Sequence, residues 1–194
     1  MPRRPMSQEE YLAQALMVEQ QTIEIKSIIT DGFILDLGGG GEGIIGKLNG
    51  MQVVAIDKRS EELEETDNDA LKVVMDATDL KFLDNSFTAA TAFYTLMYIP
   101  NDQIPKVLAE AHRVLRPGAR LHIWDADIPE KSGDKKHFVI PLKIVMPDET
   151  VETGYGSSLK KQSAQTLREL AEDAGFKTVK VEDREHTFYL ELEK

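Results

Sequence analysis

The sequence predicts a doubly wound α/β fold with a mostly parallel sheet covered on both faces. Short, nearly unbroken apolar runs recur at Phe33 to Leu37, Gln52 to Ile56, Leu71 to Met75, Ala89 to Tyr94 and Arg120 to Trp124, as strands buried on both sides require. Helical or turn segments separate them, the alternation that produces parallel pairing. The 194 residues, 41% of them apolar, suit one hydrophobic core, since a domain takes roughly 150 residues; residues 1–194 are read as a single domain.

Residues 1–30 read as a helical leader: Ser7 and Glu10 have capping-box spacing, and Leu12, Leu16 and Ile23 follow toward Ile29. The clearest helix carries Ile104, Val107, Leu108, Ala111 and Leu115 on one face, with Asn101 and Asp102 as cap candidates and Pro105 in the first turn, where no amide partner is lost. Arg116-Pro117-Gly118 stops it. A further helix runs from Ser163 through Leu167, Leu170, Ala171 and Ala174, with Gly175 as its left-handed cap. Phe176 to Val181 and Thr187 to Leu192 then read as a C-terminal antiparallel hairpin. Residues 126–162 break the βα alternation. Lys136 to Met146 and Thr150 to Tyr155 look like an inserted β-hairpin turning at Pro147-Asp148-Glu149, added to the ligand-facing side of the main sheet as a lid or pocket wall.

Twenty-three basic against 34 acidic residues give a net charge of −11, which opposes nonspecific binding of polyanions and makes nucleic acid an unfavoured partner. The charge is uneven, however: residues 131–161 hold six lysines and four acids, a net +2. An anionic acceptor, RNA included, would be felt there. The absence of cysteine excludes disulfides, thiolate metal sites and cysteine nucleophiles. No apolar run approaches the ~20 residues needed to span a bilayer. The basic start is followed by Ser7-Gln8-Glu9-Glu10 rather than an apolar stretch, so the expected location is cytoplasmic.

The most specific segment is Ile34-Leu-Asp-Leu-Gly-Gly-Gly-Gly-Glu-Gly43, a strand running into a glycine-dense turn. Glycines allow tight turns and let backbone amides approach a ligand with no Cβ in the way. About twenty residues on, the second strand ends at Asp57, where a carboxylate can hold a ribose diol. In order along the chain, Asp36-Leu-Gly38-Gly39-Gly40, Val54-Ala-Ile-Asp57, Met75-Asp76-Ala77, Ala92-Phe93-Tyr94 and Val114-Leu-Arg-Pro-Gly118 resemble the motifs of the class I S-adenosylmethionine-dependent methyltransferases. The resemblance spans nearly all of residues 30 to 125 and 163 to 192. It implies a Rossmann-like sheet of seven strands and S-adenosylmethionine as cofactor, with Asp36, Gly38, Gly39, Gly40, Asp57, Lys58, Asp76, Ala77 and Phe93 around the donor. Glu42 stands where the family has another glycine, so which glycine between 38 and 43 meets the donor is open.

Two rival readings use the same residues. Gly41 to Lys47 has the spacing of a phosphate-binding loop, but Leu48 replaces the hydroxyl that must reach Mg²⁺ and Asp36 would bring an anion near the phosphates. A nicotinamide oxidoreductase would also use Asp57, but no tyrosine is followed four residues later by lysine. The four histidines are too scattered for a metal site; His112 reads as a helix-surface group, His122 as a sheet residue and His186 as a turn residue.

Methyl transfer needs alignment and exclusion of water, and a general base only if the acceptor must lose a proton, so no catalytic residue is assigned. Tyr94, Tyr98, Asp125 and His137 are the acceptor-side candidates, His137 because an imidazole is easily poised near neutral pH. No Asn-Pro-Pro-Tyr segment and no cysteine are present, which argues against two nucleobase chemistries and favours a small-molecule acceptor. RNA or protein substrates docked on the hairpin, and a methyltransferase-like binding protein without turnover, are the alternatives. The hairpin is also a candidate homodimer contact.

Overall fold

The computed structural model describes residues 8–130 and 133–194. Along them run α1 (Gln8–Ala13), β1 (Ala15–Met17), β2 (Gln21–Glu24), β3 (Ile34–Leu37), α2 (Ile44–Asn49), β4 (Val53–Asp57), α3 (Ser60–Glu64), β5 (Leu71–Val74), β6 (Phe87–Phe93), α4 (Ile104–Val114), β7 (Leu115–Ala126), β8 (His137–Val145), β9 (Thr150–Ser158), α5 (Ala164–Asp173), β10 (Lys177–Asp183) and β11 (Thr187–Glu193). Seven strands form one sheet in the order β10-β11-β7-β6-β3-β4-β5. β3 to β7 are mutually parallel, and β11 and β10 close the far edge antiparallel. The doubly wound α/β fold with a C-terminal hairpin is therefore observed.

The side chains of β3 and β4 split between two cores. Leu35, Leu37, Val54 and Ile56 face a core shared with α4 and α5. Ile34, Val53 and Ala55 face the other, covered by Ile44 and Ile45 of α2, Leu63 of α3 and a second sheet. Period-two alternation explains the split, and burial on both faces explains why these strands read as continuous apolar runs. α5 begins at Ser163, whose hydroxyl accepts from the Thr166 amide, with Thr166 returning the capping bond. The expected caps of α4 are replaced by Gln103, which makes no side-chain cap bond. Arg113 on α4 donates to the carbonyls of Leu80 and Phe82, both at 2.9 Å, and so fixes the segment after β5 that borders the site.

Two expectations change. The leader is helical only over Gln8–Ala13, and Ser7, its expected cap, lies outside the described residues. From Ala15 the chain is extended: β1 and β2 lie end to end along one edge of β8, parallel to it. Ile23 and Ile25 are buried while Glu24 between them is exposed, an alternation that only extended chain can produce, and the free edge of β8 supplies the hydrogen-bond partners. The inserted hairpin is present as β8 and β9, but it does not join the main sheet. It centres a separate four-stranded sheet that stacks on the α2 side. Phe138, Ile140, Leu142 and Ile144 alternate along β8 and are wholly buried, so this sheet is dry on one face only.

Because Phe138 fills the core between the two sheets, Phe138→Ala is expected to cost about 3–5 kcal/mol. Urea unfolding measures this; an unchanged midpoint would show that the second sheet contributes nothing to global stability.

Candidate functional site

The chain leaves β3 through Gly38, whose φ of 71° lies in the left-handed region that strains any side chain. A Cβ there would also collide with Thr95. The Gly38 and Gly39 amides donate to the Ile56 carbonyl at 2.8 and 3.0 Å, holding the loop against the end of β4. Asp36 lies beneath the loop: it is buried and accepts from Thr91 Oγ1 at 2.7 Å. A Cβ on Gly39 would come within 2.6 Å of its Oδ2. Burial, opposed by the Thr91 hydrogen bond, pushes the Asp36 carboxyl up to about 7. Asp36 and Gly39 thus border a small hollow under the loop.

Above the loop opens a cleft of about 900 Å³. Its wall is built from residues just past the carboxyl ends of β3, β4, β5 and β6, the edge at which open α/β sheets bind ligands. Gly38, Gly40, Asp57, Lys58, Asp76, Ala77 and Phe93 all line it. Asp57, at the tip of β4, accepts from the Arg59 amide at 2.9 Å. A Cβ on Gly40 would stand 3.1 Å from Asp57 Oδ2 and closer still to Glu62, so only glycine leaves this approach open. Asp76 accepts from the Thr78 amide and hydroxyl at 2.8 and 2.7 Å and from Lys58 Nζ at 3.0 Å. These bonds, those to Thr78 foremost, hold its carboxyl at about 2.

The opposite end of the cleft is aromatic. Tyr94 has a φ of 51°, is buried, and stacks on Tyr155 of β9 with ring centroids 5.3 Å apart, while Phe93 meets it edge-on at 5.1 Å. Burial pushes the Tyr94 phenol well above its ordinary range. Tyr98, half exposed, lies on the same wall, as do Thr95 and Gly156. Glu42, from the glycine loop, lines this end too. One of its oxygens accepts from Thr153 Oγ1 and the other from the Tyr155 hydroxyl at 2.8 Å, tying the loop to β9.

Two expected acceptor-side residues do not line the cleft. Asp125 is fully buried and accepts from the amides of Met97 at 3.2 Å and Ala126 at 2.8 Å and from Gln162 Nε2 at 2.8 Å. Its role is to clamp the turn that carries Tyr98, and burial pushes its carboxyl up to about 6. His137 opens β8 and stacks on Tyr11 with centroids 4.2 Å apart; strand register directs it there. The basic segment is also partly committed: Lys160 Nζ donates to the carbonyls of Leu96 and Ile99, and Lys135 Nζ to that of Ala13. Conversely, Tyr155 and Thr95 were not picked out from the sequence. The first belongs to a hairpin whose docking no local pattern encodes; the second could have been found as the residue following the aromatic pair at the end of β6. His122 bonds the Tyr189 hydroxyl at 2.8 Å across the sheet, and His112 packs against Phe176. Among the described residues no cluster of three or more metal-ligating side chains occurs, and no helix is long and apolar enough to cross a membrane.

Residues 35–123 match the family model of the methyltransferase domain. Over that stretch, a little under half of its length, the chain is similar to the methyltransferase domain family. It is 36% identical over 112 residues to a ubiquinone/menaquinone biosynthesis C-methyltransferase of Desulfotalea psychrophila, a stretch covering 53% of this chain and 45% of that protein. It is 50% identical over 54 residues to a 2-phytyl-1,4-naphtoquinone methyltransferase of Synechococcus elongatus, covering 28% and 22%. The matches therefore span about half or less of these relatives' length. A crystal structure of a SAM-dependent methyltransferase from Methanosarcina mazei shares the fold, with a TM-score of 0.59 at 21% identity over 86% of this chain and 94% of that one.

The raised Asp36 sets a pH dependence. An unfolded aspartate releases its proton near ~3.9, while the folded one keeps it to about 7. The native state therefore binds more protons between these values, and this contribution to stability is full below the lower value and lost as pH rises through the window. Asp36→Asn does not titrate. Its stability relative to the parent should rise from about pH 4 to about pH 7, by an amount on the order of a few kcal/mol, as read from urea unfolding at several pH values; a constant difference would contradict the assignment.

Proposed function

We propose that this chain is an S-adenosylmethionine-dependent methyltransferase acting on a small-molecule acceptor. The observation that carries the reading is one cleft walled by a side-chain-free glycine loop, Asp57 at the tip of β4 and Asp76 past β5. The residues fit the donor. Asp57 offers a free carboxylate oxygen for a ribose diol, the bare faces of Gly38 and Gly40 admit the chain that follows, and Asp76 with Ala77 borders the place for the base. Asp36, under Gly39, would act by holding the loop rather than by touching the donor.

When bound, the donor supplies a methyl group that passes in line from sulfonium to a nucleophile, and the positive charge on sulfur is lost as the new bond forms. The work left to the protein is positioning and drying the site. Phe93, Tyr94 and Tyr155 make an aromatic wall beside the loop, Tyr94 stacked on Tyr155 and edge-on to Phe93, and Tyr98 and Gly156 line the cleft at that end. Enclosure by β9 favours a small acceptor over a macromolecule, as does the acceptor class named for the quinone methyltransferases that the chain resembles.

Asp57→Ala is expected to weaken binding of S-adenosylmethionine by about tenfold or more, as for loss of a charge-assisted hydrogen bond, with exposed Glu64→Ala as the control. Calorimetry with S-adenosylmethionine, ATP and NAD tests the cofactor, and tight ATP or NAD binding without S-adenosylmethionine binding would refute the reading. Labelled donor incubated with cell extract, then split into metabolite, RNA and protein fractions, tests the acceptor. Label confined to macromolecules would overturn the small-molecule assignment.

A further inference from the structure

Five carboxylates line the cleft: Glu42, Asp57, Glu62, Glu65 and Asp76. Asp76 is paired with Lys58 and Glu62 with Arg59. Glu65 is exposed, and Asp57 stands at the tip of β4. Glu42 differs from all of these. It projects from the glycine loop itself, is half-buried, and is oriented by two neutral hydroxyls, those of Thr153 and Tyr155. Among the described residues no lysine, arginine or histidine nitrogen stands within 4.0 Å of it in an ion pair. Each carboxylate oxygen accepts about two hydrogen bonds, so capacity remains on both. A carboxylate aimed by neutral donors and partly removed from water calls for a cation from the ligand.

We infer that Glu42 receives the α-ammonium of the methyl donor's amino-acid tail. The inference rests on the donor reading given above. With the base bordered by Asp76 and the ribose on Asp57, the tail is left to the glycine loop, where Glu42 is the acid on the cleft wall. The motif acid Asp36 is not available for this: Gly39 roofs it and Thr91 occupies one oxygen. The cations on the wall, Lys58 and Arg59, follow Asp57 at the nucleoside end. Chemistry also favours the ammonium over the sulfonium as the partner. The sulfonium loses its charge in the transition state, so a carboxylate held on it would stabilise the ground state more and slow transfer, whereas the ammonium keeps its charge throughout. The glycine missing from the loop at this position is thus exchanged for a recognition group, and β9 supplies the hydroxyls that aim it.

The test compares ligands with and without the tail. Calorimetry of the parent and Glu42→Gln with S-adenosylmethionine, S-adenosylhomocysteine and 5′-methylthioadenosine, which keeps the nucleoside and thioether but lacks the amino acid, separates the outcomes. Glu42→Gln should weaken the two tailed ligands about tenfold or more and change 5′-methylthioadenosine less than twofold. Glu42→Ala, which leaves nothing to pair wrongly with the two hydroxyls, should repeat the pattern. Equal losses for all three ligands would mean that Glu42 only ties the loop to β9, and no loss would place the tail elsewhere; either result overturns the inference. A parent that binds none of the three refutes the donor reading itself, a result distinguishable from both.

Discussion

The turn between β3 and α2 is the constraint on which the rest of the site depends. Two consecutive amides, those of Gly38 and Gly39, converge on the Ile56 carbonyl, so the loop is pinned to the strand that ends one residue later at Asp57. Neither close approach survives a side chain: Thr95 closes on Gly38 from one side and Asp36 and Ala55 lie under Gly39. The glycine density is therefore a packing requirement before it is a binding one. Asp36 raises the stakes, because a carboxyl that is buried under the loop and bonded to Thr91 is costly unless it stays protonated or fully hydrogen-bonded.

A second layer of constraint comes from the insertion. The β8–β9 sheet closes the α2 face of the main sheet with its own row of buried side chains, and then reaches back toward the cleft through Tyr155 and Gly156. Two devices tie it to the parallel sheet. Asp125 at the end of β7 gathers the Met97 amide and Gln162, joining the turn after β6 to the chain returning from β9. Lys160 reinforces the same turn by donating to Leu96 and Ile99. The aromatic end of the cleft is thus held by buried polar bonds, which are geometrically specific, while the end that carries Asp57 and Asp76 is built from strand tips and largely exposed ion pairs, which contribute little to stability.

Much of this was legible in the sequence for a local reason. β3, β4 and β6 are short, buried on both faces and flanked by turns, so their apolar runs report them directly. Asp57 and Phe93 could be assigned to the cleft because residues at strand ends share one edge of a parallel sheet, while Asp76 was implied by the family resemblance. The leader departs from its helical expectation because one short helix precedes two strands, and the spacing of Leu12, Leu16 and Ile23 suits a helix as well as it suits extended chain. Asp125 and His137 fall outside the cleft for a different reason. Both are at ends of strands, but a strand's two faces lead to different places, and which of them meets the cleft depends on what packs against it.

The sequence by itself determined the order of the parallel strands' segments, the glycine turn with its flanking acids, and the existence of a hairpin between β7 and α5, since each strand, turn and hairpin arm is written within a dozen or fewer contiguous residues. Tertiary structure alone decided that the hairpin leaves the main sheet to pair with β1 and β2, that Tyr155 stacks on Tyr94, and that Glu42 is aimed by Thr153 and Tyr155. These contacts join residues more than a hundred positions apart in two of the three cases. Their partners are selected by shape and by hydrogen-bond complementarity across the folded core, a kind of information that no local periodicity contains.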